Sequence, residues 1–369
     1  GFYLIGDHLS FALDGEPYMR FRRVSAPLFS ARGALKHIDT IRRLTREGLD
    51  RLELEREISM QPFFDEVSLR TTARILFGSS DDRPEIEALI QVCGEFVDAL
   101  KSPWVWIPAA QIPLGKMTPW GRFVRLRRQL FDLLGAELDR RVAGHVPHGE
   151  DLLSAYLGAF DLDEPNMRRA ILEDVVGYLV GGSDTTAKMM NWTLFGLLRN
   201  REAFDSLRTE LDEQLGDAPI ASDRLKSLPY LHSVMQEGLR YRSPGPFAGP
   251  RQTVQPIRIG EYDVPADCIV AQCFSQTGRN QEMFPHAGRF EPGNFFERPV
   301  KMNEWLPFGG GQRICAGMGL AQLEIAVVLG TVVRSIDFDL LTTSDVPSRN
   351  GVGYEPRDGL RVIARHRSS

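Results

Sequence analysis

Phe308-Gly309-Gly310-Gly311-Gln312-Arg313-Ile314-Cys315-Ala316-Gly317 is the stretch of this chain whose reading decides the rest. Three consecutive glycines let the backbone turn and come close to a flat ligand. Cys315 stands where this loop meets a helix, because an apolar helical pattern starts directly after it with Leu320, Leu323, Ile325, Ala326 and Leu329. A helix start offers free N–H groups and a positive dipole end, which favour an anionic thiolate. N–H donors on the sulfur also tune its electron donation. Arg313 can hold a carboxylate, and Phe308 can cover one side of the sulfur. The plainer alternative is a buried free cysteine after a Gly-rich turn. It leaves the fixed offsets of the Phe, Gly and Arg residues around Cys315 unexplained.

Upstream, residues 167–199 run without a proline. A helix of about thirty residues spans roughly 45 Å, far above the usual length. Its middle is apolar on most sides, yet its centre reads Gly181-Gly182-Ser183-Asp184-Thr185-Thr186. That is poor helix-forming composition where the helix should be strongest. A local rule broken in a buried element points to a functional site. Small glycines leave room beside the helix, and a Thr hydroxyl can bond back to its own helix and loosen it. An adjacent acid can relay protons. A polar interruption with Asp184 merely solvated would suit a surface helix, not an apolar one.

The rest of the chain is mostly helical in pattern. Residues 34–57, 62–77, 84–100, 120–143, 201–215, 229–241 and 316–335 read as helices. Loops are expected at 102–118 and 144–149. Residues 256–273 alternate around a Gly turn and read as short strands, as does 337–365. Residues 279–312 read as an irregular, ordered loop. There are no repeats, low-complexity tracts or linkers, so the expected architecture is one mainly α domain, 1–369, with a small β portion. The net charge of -5 over 369 residues gives no sign of nucleic-acid binding. Four cysteines in so long a chain do not make a disulfide framework, and a reducing, cytoplasmic setting follows. Cys268 and Cys273 have no second pair to complete a zinc site, and His145 and His148 lie in a Gly/Pro loop. No apolar run approaches the eighteen residues of a membrane span. An N-terminal anchor ahead of Gly1 stays open.

The cysteine stretch resembles, at every specified position, the haem-binding signature Phe-x-x-Gly-x-Arg-x-Cys-x-Gly of the cytochrome P450 family. The resemblance implies that family's fold, with a long central helix over haem b and a proximal cysteine loop. It makes Cys315 the iron ligand, with Phe308, Gly309, Arg313 and Gly317 around the cofactor and Gly181 passing over it. Asp184 and Thr185 resemble the family's acid–alcohol pair. Glu237-Gly238-Leu239-Arg240 is similar to the Glu-x-x-Arg pair of its K helix, which locks the core. A third residue, often Arg, joins that pair from the loop here written Phe290-Glu291-Pro292-Gly293-Asn294-Phe295. Asn294 stands in its place and brings a donor without a charge. Arg251, Arg313 and Arg22 match positions that reach haem propionates, and Tyr18 stands where many members have His. The likeness runs from residue 8 to Pro356-Arg357-Asp358-Gly359-Leu360. Family members carry several tens of residues before the helix that starts near Asp14, so the chain reads as a domain lacking its N-terminal helices and strands.

The implied activity is insertion of one oxygen atom from O2 into an apolar small molecule. Thr185 would orient oxygen or water, and Asp184 would deliver protons. No flavin or nicotinamide fingerprint is present, so electrons come from a separate ferredoxin- or flavodoxin-type donor. Arg20, Arg22 and Arg23 would offer it a basic surface. Tyr178, Gly181 and Pro246-Phe247-Ala248 are the expected pocket lining. The segment from Pro113 to Phe123 resembles bacterial members acting on fatty acids, alkanes or terpenoids. The alternatives are a haem-thiolate peroxygenase or isomerase and a non-catalytic haem sensor. The Asp184-Thr185 pair argues against both.

Overall fold

The computed structural model describes residues 4–78, 83–112, 118–296, 300, 305–350 and 353–367. Among them the helices run, in chain order, α1 (Gly15–Phe29), α2 (Ala31–Ala34), α3 (Ile38–Asp50), α4 (Gln61–Phe77), α5 (Pro84–Leu100), α6 (Pro119–Val142) and α7 (Leu152–Ala159). They continue with α8 (Met167–Arg199), α9 (Arg201–Leu215), α10 (Pro229–Tyr241), α11 (Phe274–Thr277), α12 (Gly293–Phe296) and α13 (Met318–Ser335). Several starts follow from local chemistry. Thr118 accepts from the Gly121 N–H at 3.0 Å with Pro119 opening α6, Asp151 accepts from Ser154 N–H at 2.9 Å, and Asn200 from Ala203 N–H at 3.1 Å.

The molecule is built around α8. Almost every side chain from Met167 to Leu197 is buried, the mark of a helix lying inside a core rather than along it. Helices α4, α10 and α13 pack on it. The crossing with α10 is close because Gly238 has no side chain: a Cβ there would lie 2.1 Å from Thr193 Oγ1. Arg141, fully buried on α6, ties three elements together. It donates to Asp151 at 2.8 Å, to Ser154 Oγ at 2.7 Å and to the Phe77 carbonyl at 2.7 Å.

The β portion is small and antiparallel. Strands β1 (Glu57–Ser59), β6 (Ile336–Leu340) and β9 (Arg361–His366) form a sheet in the order β1-β9-β6, with Ile363 opposite Glu57 on one side and Asp339 on the other. Strand β2 (Arg251–Gln252) pairs with β5 (Ile269–Val270), β3 (Ile257–Ile259) with β4 (Tyr262–Val264), and β7 (Pro347–Asn350) with β8 (Gly353–Pro356). Gly260, at φ 59°, turns β3 into β4.

Three expectations are corrected. The helix expected over 34–57 is broken by a 3₁₀ turn at Leu35–His37 and stops at Asp50, and Glu57–Ser59 is a strand. Leu52-Glu53-Leu54-Glu55 alternates apolar and polar residues, and pairing of Glu57–Ser59 with β9 overrides helical propensity. Glu55 takes the left-handed region at φ 61° on the way into that strand. Helix α13 begins at Met318 with Gly317 as its N-cap, not directly after Cys315. Finally, α13 is long and apolar enough to cross a membrane by composition. It is instead a core helix, packed against α2, α3, α8, α9 and α10.

Candidate active site

The cysteine loop is closed on itself and pinned from α1. The Cys315 N–H donates to the Phe308 carbonyl at 2.9 Å, and the Gly309 N–H to the Leu306 carbonyl at 3.0 Å. Gly309 and Gly311 take left-handed φ values of 72° and 66°, which glycine adopts without strain. From α1, the Tyr18 hydroxyl donates to the Gln312 carbonyl at 2.9 Å and Arg22 to the Ile314 carbonyl at 3.2 Å. Arg313 lies 3.9 Å over the Tyr18 ring and reaches back to the Leu13 carbonyl and the Asp14 carboxylate. Tyr18, Arg22, Phe308, Gly309, Arg313, Cys315 and Gly317, scattered in sequence, therefore meet in one place.

Cys315 is exposed, yet it lies deep enough that burial pushes its thiol pKa up. The Gly317 N–H and the charge of Arg22 pull it back only in part. The expected lowering at a helix start is thus outweighed by desolvation, and α13 begins three residues further on. An exposed sulfur under desolvation belongs to the wall of an internal cleft, not to a convex surface.

The centre of α8 faces the same region. Arg22 acts electrostatically on both the Cys315 thiol and the Tyr178 hydroxyl. One guanidinium therefore stands between the cysteine loop and the turn of α8 that precedes Gly181. Gly181 is exposed in the middle of this otherwise buried helix, and a Cβ there would meet nothing within 4 Å. The same is true at Gly309 and Gly317. Thr185 Oγ1 donates to the Gly181 carbonyl at 2.6 Å, and Ser183 Oγ to the Leu179 carbonyl at 2.6 Å. Both hydroxyls compete with backbone N–H groups at the glycine step and loosen it.

Asp184 points away into a fixed network. Its carboxylate receives the Lys188 ammonium at 2.7 and 2.8 Å and the Gly353 N–H at 3.1 Å. It also borders a cavity of about 450 Å³ between α4 and α5, lined further by Asp65, Asp98 and Lys101. Lys101 bridges Asp65 and Asp98 at 3.3 and 2.8 Å. Burial raises the Asp65 carboxyl pKa, with Lys101 opposing and Asp184 adding to the rise. The cleft thus carries exchangeable groups towards Asp184. Lys188 was not singled out in the sequence, although its i,i+4 spacing from Asp184 is the signal that finds it.

The Glu237–Arg240 pair lies fully buried on α10. Arg240 donates to both Glu237 oxygens at 2.7 and 2.6 Å, and to the Gly278, Ala287 and Arg289 carbonyls at 2.7, 2.9 and 2.6 Å. The Glu291 N–H and Asn294 Nδ2 donate to Glu237 at 2.6 and 3.3 Å. Every donor of the guanidinium is used, and Asn294 completes the set from the loop after Phe290.

Other expectations fare differently. Arg251 is exposed and donates to the Gly249 carbonyl at 2.7 Å. Tyr178 is buried, stacked on Phe29 at 4.6 Å and bonded to Ser25 Oγ at 2.7 Å, so it joins α8 to α1 rather than lining an open pocket. Phe247 is 59% exposed. The basic surface of α1 is largely neutralised: Arg20 pairs with Glu164 at 3.0 Å and Arg23 with Glu16 at 2.6 Å, while Arg22 faces the cysteine loop. Residues 113–117 of the segment running to Phe123 lie outside the described residues.

An exposed yet desolvated thiol in a pinned loop, open space at Gly181, Gly309 and Gly317, and the guanidinium groups of Arg22 and Arg313 beside the loop fit a flat macrocycle bearing carboxylates. Similarity to known proteins agrees. A family model described as Cytochrome P450 matches residues 5–356. Putative cytochrome P450 138 of Mycobacterium tuberculosis is 26% identical over 367 residues, covering 99% of this chain and 80% of that protein. Putative cytochrome P450 135B1 of the same species is 26% identical over 365 residues, covering 98% and 75%. The solved structure described as retinoic acid bound cyanobacterial CYP120A1 superposes with a TM-score of 0.83 at 22% identity, over 99% of this chain and 82% of that one.

Proposed function

The chain belongs to the cytochrome P450 family, and with it to haem monooxygenases in general; on that premise we propose that it inserts one oxygen atom from O2 into an apolar small molecule, with Cys315 as the residue that would hold the iron of haem b. The observation that carries this reading is the setting of Cys315: exposed yet desolvated, in a loop pinned by Tyr18 and by Arg22, whose charge also acts on Tyr178 of α8. When bound, the haem supplies the redox chemistry, and a thiolate ligand favours O–O cleavage over reversible oxygen binding.

The chain's own residues do the rest. Arg22 and Arg313 would hold the propionates, Arg22 giving up the Ile314 carbonyl and Arg313 the Leu13 carbonyl or the Asp14 carboxylate. Gly181 would leave room for the haem and its ligand, and the Gly317 N–H bonds the sulfur. Thr185 presents a hydroxyl whose hydrogen is already directed to the Gly181 carbonyl, so its oxygen lone pairs are free to receive a water or a proton. Asp184 takes protons from the cleft between α4 and α5 with Asp65, whose carboxyl pKa burial pushes up, as the carrier, while Lys101 stays charged between Asp65 and Asp98.

The substrate is an apolar compound of the fatty-acid, alkane or terpenoid kind. Exposed Trp104, Ile107 and Ile112 on the turns after α5 support an apolar approach, as does the retinoic acid held by the cyanobacterial relative of this fold. Electrons come from a ferredoxin- or flavodoxin-type donor, and the cytoplasm is the proposed setting. Because Arg20 and Arg23 are already paired, docking of an acidic donor exchanges existing ion pairs rather than filling a free basic patch. Substrate oxidation with an external reductase and O2, compared with peroxide alone, tests the reading. Turnover that depends on the reductase supports it. Turnover by peroxide alone at the same rate favours a peroxygenase.

A further inference from the structure

Helix α13 carries an acid that the reaction above does not use. Glu324 is fully buried, and neither carboxyl oxygen meets a hydrogen-bond partner among the described residues. An ionised carboxylate in such a place is costly. Burial accordingly pushes its pKa up to about 8, and the Ser68 hydroxyl of α4 pulls it back only in part. Among the described residues, no charged side chain of α1, α2, α3, α4, α8, α9, α10 or β6 contributes to that balance. At neutral pH the group is therefore a neutral carboxylic acid inside the core.

Ser68 has a second neighbour. Its hydroxyl donates to the Gly182 carbonyl at 3.4 Å, long for an O–H···O bond. The next turn of α4 brings Thr72 against the same glycine: a Cβ on Gly182 would lie 3.0 Å from Thr72 Oγ1, a hydroxyl oxygen without a partner among the described residues. The glycine step of α8 thus rests on hydroxyls of α4, and behind them stands Glu324 on the helix that follows the cysteine loop. A hydroxyl has one hydrogen to give. A neutral acid leaves it to the carbonyl. A carboxylate, forming the stronger charge-assisted bond, competes for it.

We propose that Glu324 is a positioning residue for the reaction: as a neutral acid it leaves Ser68 to hold the Gly182 carbonyl, and on ionisation it draws that hydroxyl away and changes the set of the α8 glycine step that carries Thr185. This rests on the haem-thiolate reading. It makes the distal helix sensitive to the protonation of a group on the proximal side, without a contact between Glu324 and substrate.

The experiment follows two infrared bands across about pH 6 to 10, on either side of the value near 8. One is the carbonyl stretch of a protonated carboxyl group, read on the protein. The other is the stretch of carbon monoxide bound to the reduced haem protein, which senses hydrogen bonding from α8. In the wild type both change with a shared midpoint. In Glu324→Gln, the neutral isostere, the carboxyl band is missing and the carbon monoxide band stays at its low-pH position throughout. In Ser68→Ala that band stays at its high-pH position. A carboxyl band that does not titrate near 8, or a carbon monoxide band unmoved while it does, overturns the proposal. So does a pH-dependent carbon monoxide band retained in Glu324→Gln or in Ser68→Ala. Failure of the haem-thiolate reading itself is seen earlier and separately, as a reduced carbon monoxide complex without the red-shifted Soret band, and it removes the inference with it.

Discussion

Lys188 holds the Asp184 carboxylate at 2.7 and 2.8 Å one turn along the same helix, with both side chains buried in the core. The Gly353 N–H at 3.1 Å brings the β7–β8 hairpin to the same carboxylate. Removing one member leaves the other charge unpaired away from water, which costs about 3–5 kcal/mol. Lys188→Met is therefore expected to be destabilised by about that much, and the double variant Lys188→Met/Asp184→Asn by clearly less than the sum of the two single changes. Urea unfolding of the four proteins checks this. Strict additivity would contradict it.

The lock around Arg240 predicts unequal costs for its members. Arg240→Lys keeps the charge but has three donors for five bonds, and it is expected to lose about 3 kcal/mol or more and most haem-loaded yield. Asn294→Ala removes one bond of 3.3 Å from an already satisfied carboxylate and should cost only about 0.5–1.5 kcal/mol. Thermal unfolding of the two variants against wild type decides, and equal losses would show that the loop after Phe290 matters more than its single bond implies.

Thr185 separates binding from chemistry. Thr185→Ser keeps the hydroxyl and is expected to retain most turnover. Thr185→Ala removes it and should lower product formation by about 10²-fold or more while haem content and the carbon monoxide spectrum stay unchanged. Haem loss in Thr185→Ala would mean that the back-bond to the Gly181 carbonyl serves folding instead.

Asp174 gives a pH dependence with a definite sign. It is fully buried, held by the Tyr156 hydroxyl and the Ser10 N–H, and burial pushes its pKa up to about 6. The folded state then binds a proton that the unfolded chain releases at lower pH. Its contribution is fully present below the unfolded value of about 4 and is lost as pH rises through about 6. Asp174→Asn is expected to lose less stability than wild type between those two values, by on the order of 3 kcal/mol. Parallel stability curves would contradict the assignment.

Much of this was legible in the sequence because the decisive signals are periodic or tightly spaced. The boundaries of α5 and α8 could be read from proline placement and apolar period, since Pro84 opens the first and no proline interrupts the second. The cysteine loop was legible from offsets alone. What escaped was set by tertiary contact. The alternation at residues 52–55 speaks against a continued helix, but nothing local says that Glu57–Ser59 pairs with β9, that Arg20 and Arg23 meet Glu164 and Glu16, or that Tyr178 turns to Ser25. Glu324 looks in sequence like one polar residue on an apolar helix, and only its burial between α4 and α8 gives it a part to play. Desolvation of Cys315 is likewise a property of the cleft, against which the local helix start is the weaker effect.

The central claim is that Cys315 supplies a thiolate to haem iron. The most direct test is the carbon monoxide difference spectrum of the dithionite-reduced, haem-loaded protein, recorded for wild type and Cys315→Ser. A strongly red-shifted Soret band in the wild type, lost in Cys315→Ser with haem still bound, is the result expected. A band of the histidine-ligated kind in the wild type, or a red-shifted band that survives in Cys315→Ser, would contradict it.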